Sequence, residues 1–112
     1  MLRVVFKRSF LNLENINMSY ARMNNITFIS EEFGDKIQAN YCATAPSGFP
    51  EAEILTFVRT GPLTASLTSI YPDKAAYDRS AGERKKRMAG NQEMIANVDM
   101  QEGDVALVHI NK

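Results

Sequence analysis

An α+β fold in the order strand, helix, strand, strand, helix, strand is what the patterning of this chain predicts, on three observations. Apolar residues recur with period two, then about every 3.6 residues, then in two stretches of period two, then about 3.6, then two again. The break Pro46-Ser47-Gly48-Phe49-Pro50 separates the two middle strands. A length of 112 residues, with 45% hydrophobic and 23% charged residues, fits one globular domain over 1–112.

The first segment sends Leu2, Val4 and Phe6 to one side and Arg3, Lys7 and Ser9 to the other, as a strand with one buried face does. Asn12 or Asn15 then caps a helix whose apolar stripe is Ile16, Tyr20, Met23, Ile26, Ile29 and Phe33, with Gly34 as its stop. Ile37, Ala39, Tyr41, Ala43 and Ala45 alternate with polar or small residues, which reads as the second strand. The third, Ala52 to Arg59, carries Ile54 and Val58 on one face and Leu55 and Phe57 on the other, so it is covered on both sides.

Thr60-Gly61-Pro62 suits a helix entry, and Leu63, Leu67, Ile70 and Tyr71 follow helical spacing. A competing parse turns a hairpin at Gly61-Pro62 and makes Ser66 to Tyr71 a strand; the spacing favours the helix. Pro72 interrupts it and Asp73 caps a second piece, with Tyr77, Ala81, Arg84 and Met88 on one side, the arginine lying flat along its stem, and Gly90 at the end. Asn91 to Asp104 is irregular, its Met94, Ile95, Val98 and Met100 free to tuck against the core or a neighbouring subunit. Val105 to Ile110 is the last strand, apolar on both faces apart from His109.

This order is the split βαβ of a ferredoxin-like fold: a four-stranded antiparallel sheet, first and third strands central, second and fourth at the edges, helices on one face. Two helices cover one face only, yet the third and fourth strands are apolar on both. The uncovered face predicts a homodimer with its two sheets face to face.

Thirteen Lys and Arg balance thirteen Asp and Glu, so a general affinity for nucleic acid or an anionic membrane has no support. No apolar run approaches the roughly 20 residues of a membrane helix. The single cysteine, Cys42, excludes an intramolecular disulfide, and the apolar start is too short for a signal peptide; a cytoplasmic location is the expectation.

The element order, the length, and the break Tyr71-Pro72-Asp73 followed by Lys74-Ala75-Ala76-Tyr77 resemble the dimeric α+β barrel superfamily, which includes antibiotic-biosynthesis monooxygenase-like, stress-responsive barrel and NIPSNAP-like domains. That resemblance implies a small, often apolar organic ligand in a cleft between sheet and helices. In some members it implies oxygenation without a cofactor, haem degradation or lactone isomerisation. The absence of tryptophan and the placing of the one histidine on a strand depart from the enzymatic patterns.

The residues themselves offer Tyr20, Met23, Tyr41, Phe57, Tyr71 and Tyr77 as the walls and polar contacts of such a cleft. Asn17, Asn24 and Asn40 are available as donors. His109 and Tyr77 are the proton handlers any catalysis would use, although a lone histidine on an edge strand is more often structural. Cys42 has no neighbouring base, Glu83 to Arg87 spreads around a helix as a solvated surface, and Thr60-Gly61 lacks the spacing of a phosphate loop. No metal or cofactor site is read. The function expected is binding of a fatty-acid-like or aromatic molecule between sheet and helices; a cofactor-independent monooxygenase or isomerase in the same cleft, or a pure oligomerisation module, are the alternatives.

Overall fold

Tyr20, Arg22, Asn24, Ile26 and Phe28, every second residue, face one side of the strand from which the rest of the fold is organised. The structure is a computed structural model that describes residues 18–112. In it β1 (Tyr20–Phe28) is followed by α1 (Glu31–Gly48), β2 (Ile54–Gly61), β3 (Thr64–Tyr71), α2 (Lys74–Arg79), α3 (Ala81–Asn91), a short 3-10 turn (Gln92–Met94) and β4 (Ile95–Asp104). The sheet order is β2-β3-β1-β4, every pairing antiparallel, so the first and third strands are central as expected. The fold class read from the sequence is the one observed.

Several elements are displaced from where the patterning put them. The expected first strand at Leu2 to Phe6 lies outside the described residues. The expected helix from Ile16 to Phe33 is replaced by β1, since Ile26 and Phe28 point to the helices while Met23 points away, a parity that only a strand gives. The expected second strand, Ile37 to Ala45, is the body of α1. Its buried positions Gly34, Ile37 and Ala45, with half-buried Tyr41 between, recur every three or four residues, and Ala39 and Ala43 face solvent. Ser30 caps this helix by accepting from the Phe33 N–H at 3.1 Å.

The hairpin parse of 54–71 is the observed one. Ala65, Leu67 and Tyr71 are buried on one face of β3 with Ser69 in line, and Pro62-Leu63 makes the turn. Thr60-Gly61 is therefore part of a hairpin rather than a helix entry. Arg59 locks that turn: its Nε donates to Gly61 O at 2.9 Å and Nη2 to Pro62 O at 2.8 Å, while Nη1 reaches Asp35 and Gln38 on α1 at 2.9 and 2.8 Å.

Asp73 caps α2 as expected, accepting from the Ala76 N–H at 2.8 Å. The passage after α3 is β4 rather than irregular chain, and the strand expected at Val105 to Ile110 does not form. Val105 N–H still bonds Ser19 O at 2.8 Å, but beyond it Leu107 is 81% exposed. β4 eluded the patterning because only Ile95, Val98 and Gly103 along it are even half-buried.

Both buried clusters lie on the helix-covered face. Ile26, Phe28, Ile37, Ala65 and Leu67 form one, and Tyr20, Tyr71, Ala76 and Tyr77 form the other. Among the described residues the opposite face has no helix over it, and it carries Ala21, Met23, Val58 and Ile70, with Met23 40% and Val58 54% exposed.

Candidate functional site

The two buried clusters are separated by polar side chains. On β1 the inward positions between Tyr20 and Ile26 are Arg22 and Asn24, and on β3 the one between Leu67 and Tyr71 is Ser69, directly opposite Arg22. An arginine and an asparagine facing the interior cost desolvation, so a sheet that needed only to pack would place apolar residues there. They floor a cleft of about 90 Å³.

α1 supplies one wall of the cleft through Ile37, Asn40 and Tyr41, and Phe49 closes the wall beyond it. α3 supplies the other through Arg84, Arg87, Met88 and Asn91. Ile95 and Val98 of β4 extend the apolar floor. The volume holds several waters or a small ring, and is below the range typical of ligand pockets. No residue of α3 is buried. That helix rests instead on long side chains: the Arg84 guanidinium stacks 3.8 Å from the Tyr77 ring centroid, and Arg87 sits 5.0 Å from that of Phe49.

Hydroxyls and charges meet one layer behind the cleft, with Arg22 as the link between them. Tyr20 donates to Glu102 Oε1 at 2.7 Å and Tyr77 to Oε2 at 2.9 Å, while Arg22 Nη1 donates to the Tyr77 hydroxyl at 3.0 Å. The bond to Glu102, helped by burial, pushes the Tyr20 phenol up to about 12. The same bonds from Tyr20 and Tyr77 hold the Glu102 carboxyl below its usual range. Burial raises Tyr41, which lies against Phe57 with ring centroids 5.5 Å apart. Asn24 Oδ1 is buried and accepts no hydrogen bond among the described residues.

Of the six expected cleft residues, Tyr41 and Tyr71 line it, and Phe57 backs the wall behind Tyr41. Tyr20 and Tyr77 stand one layer away in the aromatic cluster with Tyr71, the Tyr20 and Tyr77 centroids 4.9 Å apart. Met23 is on the opposite face of the sheet, because β1 is a strand and odd positions point outward. His109 is exposed in the chain beyond β4, its ring nitrogen 2.9 Å from Asn111 Oδ1, and is not among the residues lining the cleft. Asn24 and Asn40 reach the cleft; Asn17 lies outside the described residues. Cys42 is exposed on α1. Arg22 and Ser69 went unread as site residues, since their inward parity has meaning only once β1 and β3 are known to be strands.

A scan against protein-family models finds no match, and no curated protein matches the chain significantly. Solved structures do. A protein of unknown function from Nitrosomonas europaea superposes with a TM-score of 0.70 at 11% identity, covering 85% of this chain and 96% of that one. A dimeric ferredoxin-like protein from an uncultured marine organism superposes with a TM-score of 0.66 at 11% identity, over 85% and 94% of the two chains. The chain has the ferredoxin-like fold. SnoaB from Streptomyces nogalater, a cofactor-independent oxygenase, shares it with a TM-score of 0.61 at 13% identity, over 80% of this chain and 95% of its own. Similarity at these identities concerns the fold and leaves chemistry to the site. No helix among the described residues is long and apolar enough to cross a membrane.

Proposed function

We propose that this protein binds a small, largely apolar organic molecule, fatty-acid-like or aromatic, in the cleft between the sheet and the helices α1 and α3. The observation that carries the reading is the interruption of two well-packed cores by Arg22, Asn24 and Ser69, with one buried acceptor left unpartnered. Buried polar atoms are almost always satisfied, so an unpartnered acceptor on a cleft-lining side chain marks a place for a donor from outside the chain. The cleft is small, and its weakest wall is α3, which buries no residue and can yield without breaking a core.

Binding is favoured over catalysis by the positions of the expected proton handlers. Tyr77 is 4% exposed and engaged by both Arg22 and Glu102, and His109 belongs to the exposed chain after β4. Two copies associate, in this reading, through the uncovered sheet face, which offers Met23, Val58 and Ile70 and has the counterpart of a dimeric protein among its structural neighbours. The exposed thiol of Cys42 suits a reducing, cytoplasmic setting.

Titration with the neutral fluorescent probe N-phenyl-1-naphthylamine, followed by displacement with long-chain fatty acids and polycyclic phenols, tests the cleft. Saturable binding that Ser69→Trp abolishes is expected, because the indole fills the floor opposite Arg22. Absence of binding by the folded wild-type protein, or binding unchanged by Ser69→Trp, would overturn the reading.

A further inference from the structure

We infer that the ligand carries an anionic head group of the carboxylate class, gripped between Arg22 on the sheet and Arg84 on α3. This rests on the cleft reading above and names the chemistry of its polar end.

Both guanidinium groups bear on the same tyrosine. Arg22 Nη1 donates to the Tyr77 hydroxyl at 3.0 Å, and Arg84 stacks 3.8 Å from the centroid of the Tyr77 ring while its Nη1 donates to Tyr77 O at 3.1 Å and to Ser80 Oγ. Both are half-buried and both line the cleft. Neither has a carboxylate within 4 Å among the described residues, whereas Arg59, Arg79 and Arg87 are each paired with one. Each guanidinium carries five N–H donors, and the bonds just given use one on Arg22 and one nitrogen of Arg84.

Two half-buried like charges around one ring repel each other, and partial exclusion of water strengthens that repulsion. Glu102, opposite Arg22 on β4, offsets part of this charge through the Tyr77 hydroxyl, but it is exposed and pairs directly with neither guanidinium. An anion entering the cleft would meet the unused donors from two sides, one presented by a rigid strand and one by the helix that buries nothing. Guanidinium forks match head groups that present two oxygens side by side, the carboxylate above all, with a sulfonate as its stand-in in a probe. The apolar remainder of the molecule then lies over Ile26, Leu67 and Val98, and Asn24 Oδ1 takes a hydroxyl or amine hydrogen along its length.

A matched probe pair separates this inference from the cleft reading. N-phenyl-1-naphthylamine and 8-anilinonaphthalene-1-sulfonate share a body and differ by one anionic group. The wild-type protein is expected to hold the sulfonate about tenfold more tightly, an increment that one charge-assisted contact supplies. Arg22→Gln and Arg84→Gln should each remove that preference, read as the ratio of the two probes' affinities on the same variant, which falls to about one. Lys36→Gln, on the exposed side of α1, should change neither. Arg84 lies on a helix with no buried residue, so its variant folds even if Arg22→Gln does not. Equal affinity for the two probes, or a preference that survives both arginine substitutions, would overturn the anionic head and leave the cleft intact. Failure of the wild-type protein to bind either probe would overturn both.

Discussion

Arg22 and Tyr77 join the centre of the sheet to the helical layer through a single 3.0 Å hydrogen bond from guanidinium to hydroxyl. The same hydroxyl donates to Glu102 on the edge strand β4, so one phenol connects β1, α2 and β4. Removing it with Tyr77→Phe keeps the ring stacked under Arg84 and deletes both bonds. A destabilisation of about 1–2 kcal/mol in urea denaturation is expected, toward the lower end because water reaches half-buried Arg22 and exposed Glu102. An unchanged midpoint would mean that the phenol only packs.

The pair of hydroxyls on Glu102 also predicts a pH dependence. The carboxyl is held below its ordinary 4.5 in the folded protein, so its contribution is present above that value and is lost as pH falls through the lowered one. Denaturation midpoints should decline in acid more steeply for the wild type than for Glu102→Gln, which has no charge to lose. Tyr20 behaves in the opposite sense. Its phenol is raised from 10.0 to about 12, so its contribution holds below pH 10.0 and disappears as pH rises through about 12. Tyrosinate absorbance at 295 nm should show one phenol fewer ionising near pH 10 in the wild type than in Glu102→Gln.

What the sequence disclosed and what it concealed divide along physical lines. The sequence of element types matches the one observed but on other segments, since the helix read at 16–33 is β1, the strand at 37–45 is α1 and the helix at 63–71 is β3, whereas Asp73 was legible because a cap acts locally. The placement of β1 and α1 was not. Ile37, Tyr41 and Ala45 fit a period of two and a period near four equally well, and Arg22 and Asn24 erase the alternation of β1 at the positions that build the cleft. Strands that carry a polar site on their inner face look least like strands. The tyrosines were recognisable as cleft and cluster residues by type, but Met23 was assigned to the wrong face as soon as β1 was read as a helix.

Packing around Gly34 gives a prediction of opposite sign to that at Gly82. A Cβ on Gly34 would stand 2.6 Å from Cδ2 of Phe28 and 2.7 Å from Nη2 of Arg59. The Phe28 ring is 1% exposed and cannot withdraw, and Arg59 is held by its bonds to the hairpin and to α1. Gly34→Ala should therefore cost about 1–3 kcal/mol despite its better helix propensity. A Cβ on Gly82 in α3 meets nothing within 4 Å, so Gly82→Ala should stabilise by about 0.4–1 kcal/mol through the unfolded chain. Thermal or urea unfolding of the two variants side by side checks both signs. A harmless Gly34→Ala would show that α1 rides further from β1 than these distances allow.

Association through the uncovered sheet face is the remaining prediction. Met23 lies on central strand β1 and Val58 on edge strand β2, both pointing away from the helices and both more than a third exposed, so a charge at either position leaves the fold intact. Against a second copy the same charge would be buried opposite an apolar surface without a partner, a cost of several kcal/mol for each subunit. Sedimentation equilibrium of the wild type should give a dimer, and Met23→Glu combined with Val58→Glu should give a monomer with an unchanged far-ultraviolet circular dichroism spectrum. A wild type that sediments as a monomer, or a double variant that still dimerises, would remove this face from the interface. The cleft opens on the other side of the sheet, so the monomeric variant should still bind the neutral naphthylamine probe.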